Sequence, residues 1–191
     1  MPWRGHPDPY AVWVSEIMLQ QTQVDTVRDY FIRFVAKFPT IRSLAEADTE
    51  SLLKAWEGLG YYTRAKNLRK AAQLVMEKHG GKVPRTAEEL QTLPGIGPYT
   101  AAAVASICFG QPVPVVDGNV ARVFARYNLL DDDFSKLPPR LELAEWLTPF
   151  IEKSGCPGDF NQAMMELGAL ICKPQNPNCS ACPLQDDCRA F

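Results

Sequence analysis

The chain has 191 residues, 46% of them hydrophobic, and a formal net charge of −2, which allows one substantial core or two smaller lobes. No run approaches the ~18 consecutive apolar residues of a membrane helix, and the start lacks the apolar region of a signal peptide, so secretion is not expected. Six cysteines in such a chain argue against a disulfide framework. Four of them fall in the last twenty residues, which is typical of metal binding. Of the others, Cys108 is predicted to be a buried thiol and Cys156 a bystander.

Helical periodicity dominates the chain, and strand signals are poor. Only residues 112–116 have the composition of a strand, and Pro112 and Pro114 count against one. Glycine and proline clusters separate the helices, and Asp48 and Thr86 are predicted N-caps. We therefore predict an all-α fold with two helical lobes. The predicted helices cover residues 10–22, 24–37, 49–57, 62–78, 86–92, 99–109, 118–129, 138–152 and 159–171.

The first predicted helix is apolar on nearly every side, yet it contains Glu16. A lone carboxylate in such a helix is more often a structural acid with a partner. The other interpretation is a general acid, because burial raises the pKa of a carboxyl group. The helix by itself does not choose between the two.

A basic segment lies in the middle of the chain. Residues 64–85 contain seven basic residues and one acidic residue. In a chain with a negative net charge, this segment is compatible with a side that faces DNA. On charge alone, a solvated helix face explains it equally well.

A glycine-rich turn with the sequence Leu-Pro-Gly-Ile-Gly occupies residues 93–97, between two predicted helices. Its glycines, Gly95 and Gly97, can bring bare backbone N–H groups against an anion at the start of the next helix. An ordinary helix–helix turn has the same composition. Twenty residues after Gly97 comes Asp117, a predicted N-cap whose apolar neighbours indicate a junction between lobes.

The C-terminal cysteines are Cys172, Cys179, Cys182 and Cys188, in the pattern C-x6-C-x2-C-x5-C. Four thiolates suit either zinc or an iron–sulfur cluster. Structural zinc sites usually use two close cysteine pairs, and here only Cys179 and Cys182 form one. Spacing alone leaves the two metals about equal.

The hairpin, Asp117 at that distance and the cysteine loop together resemble the helix-hairpin-helix DNA glycosylase superfamily, which includes endonuclease III and the MutY-type adenine glycosylases. Further stretches are similar to the MutY type in particular, so the resemblance covers essentially the whole chain. These stretches are residues 2–4 (PWR), 13–24 (WVSEIMLQQTQV), 58–62 (GLGYY) and 160–165 (FNQAMM). The resemblance implies that the four cysteines bind a [4Fe–4S] cluster.

The resemblance also implies a two-lobed helix-hairpin-helix glycosylase fold with a C-terminal [4Fe–4S] cluster loop. One lobe would join residues 1–22 to residues 118–191 and contain the cluster. The other would comprise residues 23–117, with the helix-hairpin-helix at about 86–109. Set against the resemblance, the given sequence begins at the PWR motif, without the family's upstream helix, and a chain that lacks the family's C-terminal 8-oxoguanine-recognition domain is expected. Weaker discrimination between 8-oxoguanine and guanine is therefore expected.

The implied reaction is hydrolysis of the N-glycosidic bond of an adenine mispaired with 8-oxoguanine or guanine in double-stranded DNA, after the base is flipped out. Glu16 would protonate adenine at N7, and Asp117 would stabilise the oxocarbenium-like sugar electrostatically or capture it briefly, as in retaining glycosidases. Asn119 would position one of these groups. Tyr99 stands where bifunctional enzymes resembling endonuclease III have a Schiff-base lysine, so a monofunctional glycosylase is expected.

The resemblance assigns binding roles as well. The residues are Trp3, Arg4 and Gln162 for the adenine pocket, Gln21 and Tyr61 for entry into the duplex beside the opposite base, and Gly95 and Gly97 for a backbone phosphate. Two alternatives stay open. One is a thymine or uracil mismatch glycosylase of the same fold, against which Glu16 counts because protonation of a purine nitrogen needs an acid. The other is a non-catalytic iron–sulfur DNA-binding protein. A monomer in the bacterial or archaeal cytoplasm, associated with the nucleoid and not with a membrane, is expected.

Overall fold

The structure, a computed structural model, describes most of the chain, namely residues 1–4, 8–131, 133–134 and 136–191. Over these residues the chain forms helices and no strand, which confirms the all-α prediction. No helix in this part of the chain has both the length and the apolarity to cross a membrane.

Contacts within the chain divide it into two units, unit 1 at Met1–Phe109 and unit 2 at Gly110–Phe191. The division expected from the resemblance, in which residues 1–22 join the cluster-containing lobe, stays a prediction.

Unit 1 is built from helices that pack mainly on α1, α5 and α7. In chain order they are α1 Pro9–Leu19, α2 Val24–Lys37, α3 Ile41–Ala45, α4 Thr49–Trp56, α5 Thr63–Lys78, α6 Ala87–Gln91 and α7 Pro98–Phe109. Helix α1 contacts α2, α5 and α7, while α3 packs on α5 and α6 packs on α7. Helices α1 and α7 are apolar on nearly all sides because both lie inside this unit.

Local capping fixes several helix starts in unit 1. The predicted caps are confirmed: Asp48 accepts from the N–H of Ser51 at 2.8 Å, and Thr86 caps α6 in the same way. Helix α3 was not predicted from the sequence; it has five residues and begins with a capping box between Thr40 and Ser43. One and a half turns are too short for hydrophobic periodicity to be detected.

Unit 2 has its own core and three α-helices among its described residues. They are α8 Gly118–Asn128, α9 Leu137–Ser154 and α10 Pro157–Glu166. Apolar residues of α8 and α9 form the core, which comprises Val120, Ala121, Phe124, Leu143, Leu147 and Ile151. Phe124 also contacts Trp146 edge-on, with the ring centroids 4.5 Å apart.

The end of α10 differs from the prediction. A single helix over residues 159–171 was expected, but α10 ends at Glu166 and a π-helical segment, Leu167–Ile171, follows. Two short 3-10 turns, Cys179–Ala181 and Gln185–Asp187, then shape the cysteine loop. Single π-helical turns inside helices often mark functional sites, and this one lies directly before Cys172.

Candidate functional site

Glu16 lies on α1 and is 6% exposed, among the apolar side chains of that helix. Glu16 is close enough to Cys108 of α7 for its charge to affect the pKa of that thiol. Burial is the main cause that raises the pKa of the Cys108 thiol to about 12, and the charges of Asp8 and Glu16 add to it. The structure therefore places a carboxyl group in a largely apolar environment, as a general acid requires.

The hairpin is held by its two apolar residues and needs one of its glycines. Leu93 and Ile96 are buried, and the Ile96 N–H donates to the Leu93 carbonyl at 3.2 Å. Gly95 has φ +80°, and a Cβ there would lie 2.9 Å from the Cβ of Asn67 on α5, so only glycine fits. Gly97 is exposed directly before α7. The N-terminus of a helix is a general binding site for a phosphate, and Gly97 lies directly before that of α7.

Three other predicted residues in unit 1 occupy different environments. Tyr99 is half-buried at the second position of α7. Trp3 is 7% exposed and contacts Phe31 of α2 edge-on, with the centroids 5.2 Å apart. Arg4 is half-buried, and its backbone N–H donates to the Met1 carbonyl. The assignment of Trp3 and Arg4 to the adenine pocket stays a prediction.

Gln21 and Tyr61 lie on two separate loops of unit 1. Gln21 is in the α1–α2 loop (residues 20–23), and Tyr61 is in the α4–α5 loop (residues 57–62). Both are exposed, Tyr61 by 62%, and both have positive φ, +57° and +47°. Non-glycine residues rarely adopt this conformation, which tends to occur at functional sites when the surroundings impose it.

The basic segment is only partly a solvated face. Lys66, Lys70 and Lys78 of α5 are exposed, as a DNA-facing or solvated surface requires. Arg64 and Arg69 instead turn toward the protein and donate to backbone carbonyl groups of α1 and of neighbouring loops. Net charge counted along the sequence therefore overstates the charge available to a polyanion.

In unit 2, the structure brings Asp117 and Asn119 together. Asp117 is the N-cap of α8, as predicted, and its Oδ1 accepts from the Val120 N–H at 2.7 Å. Its Oδ2 accepts from Asn119 Nδ2 at 2.9 Å. Both carboxylate oxygens thus have donors, which fixes the orientation of the group.

Asn119 is fixed in turn by Arg122, one turn further along α8. Arg122 Nη2 donates to Asn119 Oδ1 and to the Gly168 carbonyl, both at 2.8 Å, and its Nε donates to the Cys172 carbonyl at 2.9 Å. A Cβ on Gly168 would lie 2.6 Å from the Asn119 Cβ, so the π-helical segment and α8 are in close contact. A continuous chain of hydrogen bonds therefore joins Asp117 to the first cysteine of the loop.

Asn161 of α10 holds the segment that leads to Asp117. It is 2% exposed; its Nδ2 donates to the Val113 carbonyl at 2.9 Å and its Oδ1 accepts from the Val115 N–H at 3.0 Å. These contacts satisfy backbone groups that a sheet would otherwise pair, which explains strand-like composition without a strand. Its neighbour Gln162 is half-buried.

All four loop cysteines line one cavity of about 180 Å³, and none is in a disulfide. Within the described ranges, no group of three Cys, His, Asp or Glu side chains is placed to hold a single metal ion. Four cysteine thiols on one cavity are the donor set that an iron–sulfur cluster takes.

Arg126 of α8 provides the positive charge at this cavity. Its Nη1 lies 3.4 Å from the Cys172 Sγ and donates to the Lys173 carbonyl at 2.7 Å, while its Nη2 donates to the Pro174 carbonyl at 2.9 Å. A guanidinium beside thiolates offsets part of their charge.

Residues 14–149 match the HhH-GPD superfamily of base excision DNA repair proteins. The chain belongs to this superfamily. A second match, over residues 172–188, is to the iron–sulfur binding domain of endonuclease III, and it includes all four loop cysteines. The cofactor of this superfamily member is a [4Fe–4S] cluster, and the donor set described above fits it.

Curated relatives with the name adenine DNA glycosylase align over the full chain. The human protein is 49% identical over 199 residues, which are 100% of this chain and 36% of the relative. The protein of Buchnera aphidicola (subspecies Baizongia pistaciae) is 41% identical over 192 residues, 100% of this chain and 54% of the relative. The chain thus spans about a third to a half of the length of these relatives.

Solved structures share the fold. A thermostable thymine-DNA glycosylase aligns with a TM-score of 0.88 and 31% identity, over 100% of this chain and 88% of that one. Endonuclease III in a non-covalent complex with DNA aligns with a TM-score of 0.82 and 30% identity, over 97% and 85% of the two chains. The predicted helix-hairpin-helix glycosylase fold is therefore confirmed.

Four side chains bond to predicted site residues or to the segments beside them, and these contacts were not predicted from the sequence. The four residues are Arg64, Arg122, Arg126 and Asn161. The one sequence signal was the i, i+4 spacing of Arg122 and Arg126, which puts both guanidinium groups on one face of α8. The partners of all four are mostly backbone carbonyl groups, which no sequence pattern identifies.

Proposed function

We propose that the chain is the catalytic part of a monofunctional DNA glycosylase that removes adenine mispaired with 8-oxoguanine or guanine. The observation that carries the proposal is the position of Glu16, an acid 6% exposed in an apolar helix. Adenine is a poor leaving group unless it is protonated, and an acid in a dry environment can supply the proton. The name of the curated relatives, adenine DNA glycosylase, supports adenine as the base that is removed.

In the proposed mechanism, the target adenine leaves the base stack, and Trp3, Arg4 and Gln162 are the residues proposed to bind it. Glu16 donates its proton to adenine N7 as the glycosidic bond breaks. The resulting base anion is thereby neutralised, and Glu16 then accepts a proton from the attacking water.

Asp117 would stabilise the positive charge that develops on the sugar. The hydrogen bonds from Val120 and Asn119 support this role, because they hold both oxygens of the carboxylate before the substrate arrives. Tyr99 cannot form a Schiff base, so the product is an intact strand with an abasic site. When bound, the [4Fe–4S] cluster cross-links the four cysteines and stabilises their loop.

The partner would be double-stranded DNA, with a backbone phosphate at Gly95 and Gly97 and with Gln21 and Tyr61 beside the opposite base. We propose that the protein acts as a monomer in the cytoplasm, at the nucleoid. A second candidate is thymine or uracil release, which the fold match to a thymine-DNA glycosylase favours.

The test is a panel of duplexes with adenine opposite 8-oxoguanine or guanine, and thymine or uracil opposite guanine. Alkali reveals abasic sites. Adenine release alone is expected; release of thymine but not adenine would overturn the proposal. Strand cleavage without alkali, trapped by borohydride, would contradict a monofunctional reaction.

Two conservative variants test the chemistry. Glu16→Gln keeps the side-chain size but has no proton to donate, and a loss of about 10²- to 10⁴-fold in base release is expected. Asp117→Asn keeps a good N-cap, so α8 should still form, while release should fall because the negative charge is lost. Binding to the mismatched duplex should persist in both. Turnover close to that of the unmodified protein would remove the residue concerned from the mechanism.

A further inference from the structure

Arg64, on the first turn of α5, makes a group of hydrogen bonds to the end of α1. Its Nη1 donates to the carbonyls of Ile17, Met18 and Gln20, at 3.1, 2.9 and 2.5 Å. Its Nη2 lies 3.3 Å from Thr22 Oγ1. The last carbonyls of a helix lack intrahelical partners and carry partial negative charge, so the guanidinium caps α1 and the α1–α2 loop.

The same guanidinium also holds the α4–α5 loop. Nη2 donates to the carbonyls of Leu59 and Gly60, at 3.0 and 3.3 Å. The Gly60 carbonyl accepts in addition from Nε1 of the fully buried Trp56, at 3.1 Å. The Arg64 guanidinium lies over the Tyr61 ring, 5.4 Å from its centroid.

In these two loops, the non-glycine residues with positive φ each follow a carbonyl that Arg64 binds. Gln21 follows Gln20, and Tyr61 follows Gly60. A strained backbone persists only where the surroundings determine it, and the Arg64 side chain bonds to both loops. Burial opposes its charge and lowers the pKa of its guanidinium.

We propose that Arg64 is a positioning residue that fixes Gln21 and Tyr61 as one rigid pair for entry into the duplex, an inference that rests on the proposed function. Arginine suits this role because its planar group carries five donors and can bond to two loops at once. Lysine has the same charge, but its three donors are on a single nitrogen. It therefore cannot reproduce the separate hydrogen bonds that Nη1 and Nη2 of Arg64 donate to the two loops.

The first experiment uses the protein without DNA and follows hydrogen exchange of the Thr22 and Leu59 amides. These amides donate to the Leu19 and Trp56 carbonyls within the two loops. In Arg64→Gln, both loops should exchange faster by about fivefold or more, while the core of unit 1 is unchanged.

Arg69→Gln is the matched control. Arg69 lies on the same helix, and its Nη1 donates to the Ala47 carbonyl at 2.9 Å and to Thr49 Oγ1 at 3.0 Å. Its loss should affect exchange near Ala47 only. If Arg64→Gln does not fold, the measurement is made on Arg64→Lys. In that variant, the amides of at least one of the two loops should exchange faster than in the unmodified protein. Slow exchange of both loops in the two Arg64 variants would overturn the proposal.

The second experiment measures entry into DNA. A 2-aminopurine beside the base opposite the target adenine reports opening of the stack by its fluorescence. Arg64→Lys should reduce the fluorescence rise and weaken binding to the mismatched duplex by about 5- to 50-fold, and Arg69→Gln should behave as the unmodified protein does. In a Gln21→Ala, Tyr61→Ala background, adding Arg64→Lys should change nothing further.

The two experiments separate the possible failures. If Arg64→Lys weakens DNA binding further in the Gln21→Ala, Tyr61→Ala background, or if Arg64→Lys alone binds with full affinity, Arg64 acts only through stability or charge. Either result would overturn the proposal. No fluorescence rise and no adenine release by the unmodified protein would refute the proposed function and entry into DNA. The exchange experiment would still decide whether Arg64 holds the two loops.

Discussion

Replacement of Gly168 by alanine should damage the site through a contact that the structure defines. The added Cβ would lie 2.6 Å from the Asn119 Cβ and 2.8 Å from the Asn119 carbonyl oxygen. Carbon atoms prefer separations of about 3.5 Å or more, so α8 and the π-helical segment would have to move apart by about 1 Å. The neighbouring atoms belong largely to the backbone and cannot rotate away.

Two magnitudes follow from this displacement. Overpacking of this kind costs about 1–3 kcal/mol of the free energy of unfolding, measurable by urea denaturation. Asn119 donates to Asp117, and a shift of about 1 Å in a catalytic group can lower the rate about 10²-fold. Single-turnover release of adenine should therefore fall by one to two orders of magnitude.

Gly118→Ala is the matched control, because Gly118 is the first residue of α8 and no atom lies within 4 Å of a Cβ added there. Alanine favours helix, so stability and turnover should remain close to those of the unmodified protein. An unchanged free energy of unfolding and an unchanged rate of adenine release in Gly168→Ala would refute the steric argument. Equal damage in both variants would show that the sensitivity is not steric.

Three further predictions concern other contacts. Asn161→Leu should lower the free energy of unfolding by roughly 2–4 kcal/mol, because the buried Val115 N–H and the part-buried Val113 carbonyl lose their hydrogen bonds to Asn161; an unchanged urea midpoint would contradict this. Arg126→Gln should speed the loss of iron–sulfur absorbance in the presence of a chelator, because it removes the cation beside Cys172, and an unaltered decay rate would count against that role. At pH 9 the exposed Cys156 should react with iodoacetamide, whereas Cys108, whose pKa burial raises to about 12, should stay protonated and unmodified; equal labelling of both in the folded protein would be the contrary result.

Helix positions were largely predictable because the signals that start and end a helix are local. Asp48, Thr86 and Asp117 each accept from a backbone N–H three residues ahead, so sequence alone identified them as caps. The π-helical segment was not predictable in this way. In this segment, the Gly168 and Cys172 carbonyls accept hydrogen bonds from Arg122, a residue of the earlier helix α8, and no local sequence signal predicts such contacts.

The candidate site divides along the same line. Residues with unusual chemistry for their position, such as Glu16 in an apolar helix, stood out in the sequence. The residues that hold them in place did not stand out. In a basic segment, no sequence signal distinguishes a solvated arginine from one that donates hydrogen bonds to the backbone. Arg64 shows the consequence, since charge counting assigned it to a DNA-facing or solvated side and the structure shows it bonded to two loops.

The sequence by itself determined the all-α fold, the helix caps, the hairpin and the four cysteines, because these depend on periodicity and on contacts a few residues apart. Only the tertiary structure decided how Arg64 joins two loops about 40 residues apart in the sequence, and how Arg122 connects Asp117, through Asn119, to the cysteine loop. In both cases the acceptors are mainly backbone carbonyl groups, which every residue carries. Folding alone selects which of them a given side chain meets.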